Sequence, residues 1–187
     1  MFKNTDEFPF IKTLEDNWQI VRRELEQLQQ NDFLPWPEKH LYGKGWDVFG
    51  LYAYNMKLHK NCQLCPETTR LVESILGMIT AGFSSLQPNT YIAPHSGYPE
   101  GVLRCHLGLM GCVGCGIRVG EETRNWQEGK CLVFDDTTEH EVWHRGPEKR
   151  VVLLLDFQYP LEVIEVAQKS PDDANLLQKI FKKLTPK

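Results

Sequence analysis

Leu103-Arg104-Cys105-His106-Leu107-Gly108-Leu109 is the stretch whose reading decides the fold. Side chains alternate in direction along a β-strand, so Arg104, His106 and Gly108 share one face, and Cys105 and Leu107 the other. The second face suits a core. The first carries a cation and an imidazole, and burying an unpaired charge is costly, so something anionic must meet Arg104: a protein carboxylate or a ligand carboxylate. Two flanking segments repeat the theme. Pro94-His95-Ser96-Gly97 puts a histidine at a strand end. In Phe134-Asp135-Asp136-Thr137-Thr138-Glu139-His140-Glu141-Val142-Trp143, His140 faces opposite to Glu139 and Glu141, so it can point inward while the acids stay solvated. Neutral imidazole is a common metal ligand, and several such groups on one sheet system point to a lined cavity.

Working outward, the chain reads as strands near 83–87, 90–94, 102–110, 115–120, 130–134, 139–144 and 149–158. Turn residues separate them: Pro88-Asn89, Ser96-Gly97, Gly111, Gly114, Gly129 and Gly146-Pro147. Val151 to Leu155 is an unbroken aliphatic run, which marks a central strand. Trp46 to Tyr52 is aromatic and β-branched and adds another. Apolar residues at three- and four-residue steps predict helices over 12–31 (Leu14, Trp18, Val21, Leu25, Leu28) and 67–80 (Leu71, Val72, Ile75, Leu76, Ile79), with a polar loop at 57–65. Ser170-Pro171-Asp172-Asp173 reads as the cap of a C-terminal helix. Many short strands with regular turn signals favour a sandwich or barrel with flanking helices. The expected organisation is a single domain over 1–187, with an N-terminal helical segment (1–42), a β core (43–160) and a C-terminal helix (161–187).

Composition narrows the function classes. At 187 residues with 41% hydrophobic and 25% charged residues, the chain can bury a sizeable core. A net charge of −4 and the lack of a Lys/Arg-rich run argue against nucleic acid as a partner. No apolar run approaches the ~20 residues needed to span a bilayer, and the N-terminus lacks a signal-peptide pattern, so a cytoplasmic location is expected. The six cysteines are then reduced thiols or metal ligands rather than a disulfide frame. Cys62-x-x-Cys65 and Cys112-x-x-Cys115 could form a four-thiolate zinc site, a redox pair or a loop staple, while Cys105 and Cys131 read as small core residues. His40, His59 and His144 read as ordinary polar residues.

From about Trp46 to Pro160 the chain resembles the aspartyl/asparaginyl β-hydroxylase family of iron(II)- and 2-oxoglutarate-dependent oxygenases. The matching blocks are Pro94-His95-Ser96-Gly97, Leu103 to Leu109, Gly116-Ile117-Arg118-Val119, Trp126-Gln127-Glu128-Gly129-Lys130, Phe134 to Trp143 and Arg150-Val151-Val152. The resemblance implies a double-stranded β-helix, the jelly-roll barrel of the cupins, and Fe(II) and 2-oxoglutarate as cofactor and co-substrate. It implies that His95 and His140 ligate the iron and that Arg104 and His106 hold the chelating end of 2-oxoglutarate. Arg150 and Ser84 would bind its far carboxylate, and Trp46 would line the same pocket. Dioxygen would be consumed, and the substrate would be a small molecule, a carrier-bound amino acid or a peptide, with an aspartyl- or asparaginyl-type β-carbon as the expected target.

One departure from the general oxygenase pattern matters. Two histidines and a carboxylate usually face the metal, and the carboxylate normally follows the first histidine by two residues. Here that position is Gly97. A water fixed by Asp135 or Asp136, a replacement ligand at Glu100, or an open halide position would each follow. A non-catalytic cupin-like module, zinc-stabilised through the cysteines, is the alternative of a different class.

Overall fold

The computed structural model describes residues 1–97 and 101–159. The expected helix over 161–187 and the alternative ligand Glu100 lie outside the described residues.

Two antiparallel sheets form the β core. The larger holds β1 (Leu34–Pro35), β2 (Trp46–Ala53), β3 (Met56–Lys57) and β4 (Met78–Leu86), with β6 (Val102–Met110), β9 (Cys131–Phe134) and β11 (Arg150–Gln158). Its order is β1-β2-β4-β11-β6-β9, with β3 on the same edge of β2 as the hairpin that joins them. The smaller holds β5 (Tyr91–His95), β7 (Cys115–Val119), β8 (Glu122–Arg124) and β10 (His140–His144), in the order β5-β10-β7-β8. The chain passes repeatedly between the sheets, as in a jelly roll. β11 is central, as its aliphatic run predicts, with Val151 to Leu155 at most 4% exposed.

Period-two alternation gives the larger sheet two different faces. Leu103, Cys105, Leu107 and Leu109 of β6 and Val151, Leu153 and Leu155 of β11 point to one side. There they meet Val21 and Leu25 of α2 (Trp18–Gln27), Leu14 of α1 (Phe10–Asp16) and Leu71 and Val72 of α4 (Pro66–Glu73). The other face looks towards the smaller sheet. Val152 and Leu86 pack there with Ile92, Ile117, Val119 and Val142, and Arg104, His106, Arg150 and Ser84 share that side. Helix packing and site chemistry therefore sit on opposite faces of one sheet. Glu24 of α2 ties the layers, its carboxylate accepting from the Glu67 and Thr68 backbone N–H groups at the start of α4, where an anion suits the helix dipole.

The helices are shorter than their periodicity predicts. The helix expected over 12–31 breaks at Asn17, whose side-chain amide donates to the Thr13 carbonyl, and a 3-10 turn over Gln30–Asp32 follows Gln27. The helix expected over 67–80 ends at Glu73. The Ser74 hydroxyl bonds the Leu71 carbonyl, Gly77 takes φ +73°, and Met78-Ile79-Thr80 opens β4 instead. The polar loop at 57–65 contains a short helix, α3 (His59–Leu64), which buries Cys62.

Candidate active site

β5 and β10 pair antiparallel with His95 directly opposite His140. The pairing shifts register between His140 and Val142, a bulge of the kind that re-aims a side chain. The two imidazole centroids lie 4.2 Å apart with planes 55° to one another. Each ring is anchored in the same way. His95 Nδ1 lies 2.8 Å from the Ala93 carbonyl oxygen and His140 Nδ1 lies 2.9 Å from that of Thr138. A carbonyl can only accept, so Nδ1 donates in both rings and Nε2 is the atom left to meet a ligand. Burial lowers His140 to about 4, so it is neutral at neutral pH. Two imidazoles oriented in this way are two of the three ligands of a typical oxygenase set.

The third position shows why residue 97 is glycine. A Cβ built on Gly97 would lie 1.7 Å from Asp136 Oδ2 and 2.6 Å from its carboxyl carbon. The Asp136 carboxylate thus occupies the space that a side chain at 97 would need, while the Gly97 N–H donates to the Asp136 carbonyl. Asp136 Oδ1 lies 3.3 Å from His140 Nε2. With His140 neutral, this is a lone pair facing an acid oxygen, an arrangement that a cation relieves. Burial raises Asp136 above its ordinary range, and Arg104 works against that shift. Asp135 points elsewhere and accepts from the Thr137 N–H and hydroxyl. Among the described residues no three His, Cys, Asp or Glu side chains form a ready-made metal cage, so the centre is two histidines with a carboxylate beside them.

Arg104 meets its anions within the protein. Nε and Nη2 grip the two Asp156 oxygens at 2.7 and 3.0 Å, and Nη1 reaches Asp136 Oδ1 at 2.7 Å. Burial works to lower Arg104, but the two carboxylates hold it above its ordinary value. Asp156 is opposite Arg104 across the β6–β11 pair, so the ladder sets this fork. Among the described residues three of its five N–H groups are used, which leaves two for a ligand.

Arg150 and His106 are the opposite case. Both are buried, at 2% and 7% exposure. Among the described residues, Arg150 Nε and Nη1, both His106 nitrogens and Trp126 Nε1 have no hydrogen-bond partner. The Arg150 guanidinium carbon sits 4.6 Å from the Trp126 ring centroid, and Trp126 and His106 stack at 5.8 Å, so the orphaned atoms form one cluster. Burial drives Arg150 down to about 10, partly offset by Cys115 and Cys112, so it stays charged at neutral pH. Burial, then Arg150, Arg104 and His140, depress His106 well below its usual value. Each unsatisfied buried group costs roughly 1–3 kcal/mol, more when charged, so such a cluster marks a site for an acceptor-rich anion.

Across β2, β4 and β11 the register aligns Trp46, Leu86 and Arg150 in one row, and Val48, Ser84 and Val152 in the next. Trp46 Nε1 donates to Ser84 Oγ at 3.0 Å, and Trp36 stacks flat on Trp46 at 4.5 Å. Trp46 and Ser84 therefore lie beside Arg150 on the inner face.

Other side chains differ from expectation. His144 is not an ordinary polar residue: it is 1% exposed, with Nδ1 2.7 Å from Cys115 Sγ. Its i+4 spacing from His140 on an inward face was the available signal. A four-cysteine zinc site is excluded by topology. Cys62 and Cys65 belong to the helix-side core, and Cys112 and Cys115 to the core between the sheets. All six cysteines are free thiols. Asp156 and Trp126 escaped selection because an acid in an aliphatic strand and a loop tryptophan carry no chemical motif.

The profile of the family described as Aspartyl/Asparaginyl beta-hydroxylase matches residues 15–160. The chain is 36% identical over 170 residues to the ornithine lipid ester-linked acyl 2-hydroxylase of Rhizobium tropici, covering 85% of this chain and 60% of that protein. It is 36% identical over 162 residues to the aspartyl/asparaginyl beta-hydroxylase of Mus musculus, covering 80% of this chain and 22% of that protein. The chain thus spans about 60% or less of the length of these two relatives. Among solved structures, a Pseudomonas putida prolyl-4-hydroxylase aligns over 79% of this chain and 98% of its own, with a TM-score of 0.50 and 13% identity, a likeness of fold.

Proposed function

The chain belongs to the aspartyl/asparaginyl β-hydroxylase family, and from that premise we propose that it is an iron(II)- and 2-oxoglutarate-dependent hydroxylase of an unactivated carbon. The observation that carries this reading is the orphaned cluster of Arg150 and His106 on the inner face of the larger sheet, across from a pair of histidines on the smaller sheet whose Nδ1 atoms are both anchored. The residues fit the groups. His95 and His140 would ligate the metal, with Asp136 beside them to hold a water at the position that Gly97 leaves without a side chain. Arg150, with Ser84 and Trp46 alongside, would take the far carboxylate of 2-oxoglutarate. His106 and the two unused N–H groups of Arg104 would take its chelating end.

When bound, iron(II), 2-oxoglutarate and dioxygen supply the oxidising power that inserts oxygen into a C–H bond, with succinate and carbon dioxide as co-products. The chain's contribution is orientation. Asp156 locks the Arg104 fork by a two-pronged contact, and the Ala93 and Thr138 carbonyls fix both imidazole tautomers. Burial keeps His140 neutral and able to ligate. The Asp136 carboxylate disfavours halide in the same space by like-charge repulsion, which argues for hydroxylation over halogenation.

For the substrate, the β-carbon of an aspartyl- or asparaginyl-type group is the first candidate, after the name of the mouse relative. A small molecule, a carrier-bound amino acid and a peptide are the forms to present. An acyl chain belongs in the same panel, after the name of the rhizobial relative. Among the described residues no helix is long and apolar enough to cross a membrane. The test is succinate release from 2-oxoglutarate with iron(II), in the presence and absence of each candidate. Substrate-stimulated succinate that disappears in His140→Ala supports the reading. No succinate with iron(II) under any of these conditions counts against it.

A further inference from the structure

A second cluster, of Cys112, Cys115 and His144, borders Arg150 and Trp126, and the hydroxylase reading makes no use of its thiols. Cys112-Val113-Gly114-Cys115 is a tight turn. The Cys115 N–H bonds the Cys112 carbonyl oxygen at 3.4 Å, and Gly114 takes φ +76°, the left-handed third position of a type II turn. A β-turn keeps its outer Cα atoms within ~7 Å, inside the reach of a disulfide. Gly114 cannot carry a side chain here, because a Cβ would lie 2.7 Å from the Gly146 nitrogen. Both thiols are buried in the core between the sheets, and both line a cavity of about 530 Å³ that opens to the surface between Val113, Asn125, Gln127, Glu128 and Arg145.

His144 sits behind Cys115 as a base. Its Nε2 faces the Glu148 carbonyl oxygen, which can only accept, so Nε2 carries the proton. Nδ1 is then an acceptor, and Cys115 Sγ lies 2.7 Å from it. The Gly146 N–H, 3.3 Å from Nδ1, holds the ring in place. Nucleophile, base and an orienting group for the base are in the order that activates a thiol. The geometry points to a peroxide-oxidisable dithiol: we propose that Cys115, with His144 as base, and Cys112 as resolving thiol, form a site for hydroperoxide that closes to a Cys112–Cys115 disulfide.

The chemistry balances. Cys115 passes its proton to His144 Nδ1 and the thiolate sulfur attacks one oxygen of hydrogen peroxide. The O–O bond breaks, and the leaving hydroxide takes the proton from His144 to become water. Cys115 is now a sulfenic acid. Cys112 sulfur then attacks Cys115 sulfur, the S–S bond forms, the S–O bond breaks, and the second hydroxide leaves with the Cys112 proton as water. Two thiols lose two electrons and two protons, and one peroxide is reduced to two waters. A small oxidant suits the site, because Cys115 is only 1% exposed. Burial holds both thiols above their ordinary range, so neither is a standing thiolate and the adjacent base is what makes Cys115 the first to react.

The test is limited oxidation of the metal-free protein with hydrogen peroxide, followed by blocking of free thiols and peptide mapping of all six cysteines. The expected first product is a Cys112–Cys115 link, reversed by dithiothreitol. Cys112→Ser should instead trap a sulfenic acid on Cys115, and Cys115→Ser should give no link. His144→Asn, which keeps an acceptor but no base, should slow oxidation of Cys115 by about a hundredfold, with its fold checked by circular dichroism. Oxidation that appears first at Cys62, Cys65, Cys105 or Cys131, or a link that forms equally fast in a folded His144→Asn, would overturn the assignment.

Discussion

Arg150→Met separates a side chain waiting for a ligand from one that holds the fold together. Arg150 is 2% exposed, with Nε and Nη1 unpaired and a stacking contact on Trp126. In the ligand-free protein the two orphaned nitrogens of a buried charge cost at least about 2 kcal/mol together. The cation–π contact returns ~0.5–2 kcal/mol. Methionine has a similar length, packs against an indole and needs no partner, and replacing buried charge by apolar side chains of like volume is often stabilising by about 1–4 kcal/mol. The ligand-free variant should therefore be as stable as the wild type or more so, with a melting temperature higher by roughly 2–4 °C for each kcal/mol gained. The ligand-bound comparison reverses the order. Truncating one partner of a buried charge pair costs ~2–5 kcal/mol, so 2-oxoglutarate should bind at least about thirtyfold more weakly. The assay is thermal unfolding with and without manganese(II) and 2-oxoglutarate. Wild type should gain stability from the pair, by linkage, and the variant should not. A ligand-free Arg150→Met that melts several degrees below wild type would refute the reasoning, since the arginine would then be satisfied in a way the geometry does not show.

Three further predictions follow from contacts near the histidine pair. Gly97→Ala must displace Asp136, since its Cβ would lie 1.7 Å from Oδ2; manganese(II) affinity measured by calorimetry should fall, and Asp136→Ala should lower it in the same direction. Asp156→Ala leaves the Arg104 fork half empty with both side chains only 14% exposed, so urea unfolding should report a loss of about 3 kcal/mol. Buried neutral His140 has its folded value depressed from 6.5 to about 4. The unfolded chain then binds the extra proton, and the stability of the metal-free protein should be constant above about pH 6.5 and fall towards pH 4. His106 and His144 are shifted in the same direction and add to that fall, so His140→Asn should reduce the slope without abolishing it.

The strands were legible because side chains alternate along most of each strand, despite local bulges. Arg104, His106 and Gly108 share the inner face, as period two requires, and the aliphatic run at 151–155 lies between two partner strands. The helix ends were not legible, because Ile75 and Ile79 continue a helical period past Glu73, although the Ser74 hydroxyl and then the left-handed Gly77 end the helix. At the site, sequence spacing set His140 inward and its acidic neighbours outward: Glu141 pairs with Arg118. It could not tell Asp135 from Asp136, since that depends on which one the turn at Thr137 consumes. Nor could it supply the partner of Arg104. The demand for an anion was clear from burial alone, but Asp156 answers it only through the register of β6 on β11. His144 was missed for a related reason, since its contact with Cys115 exists only through the register of β7 on β10, which sets the two residues opposite one another.

The central claim is that two histidines and one orphaned arginine cluster form a single metal and 2-oxoglutarate site. The most direct measurement is calorimetric titration of 2-oxoglutarate into the protein with manganese(II) present and absent. The account predicts one equivalent bound with manganese(II), much weaker binding without it, and loss of the metal-dependent component in both His95→Ala and His140→Ala. Binding of equal strength with and without the metal, or no binding to a folded wild-type protein, would contradict it.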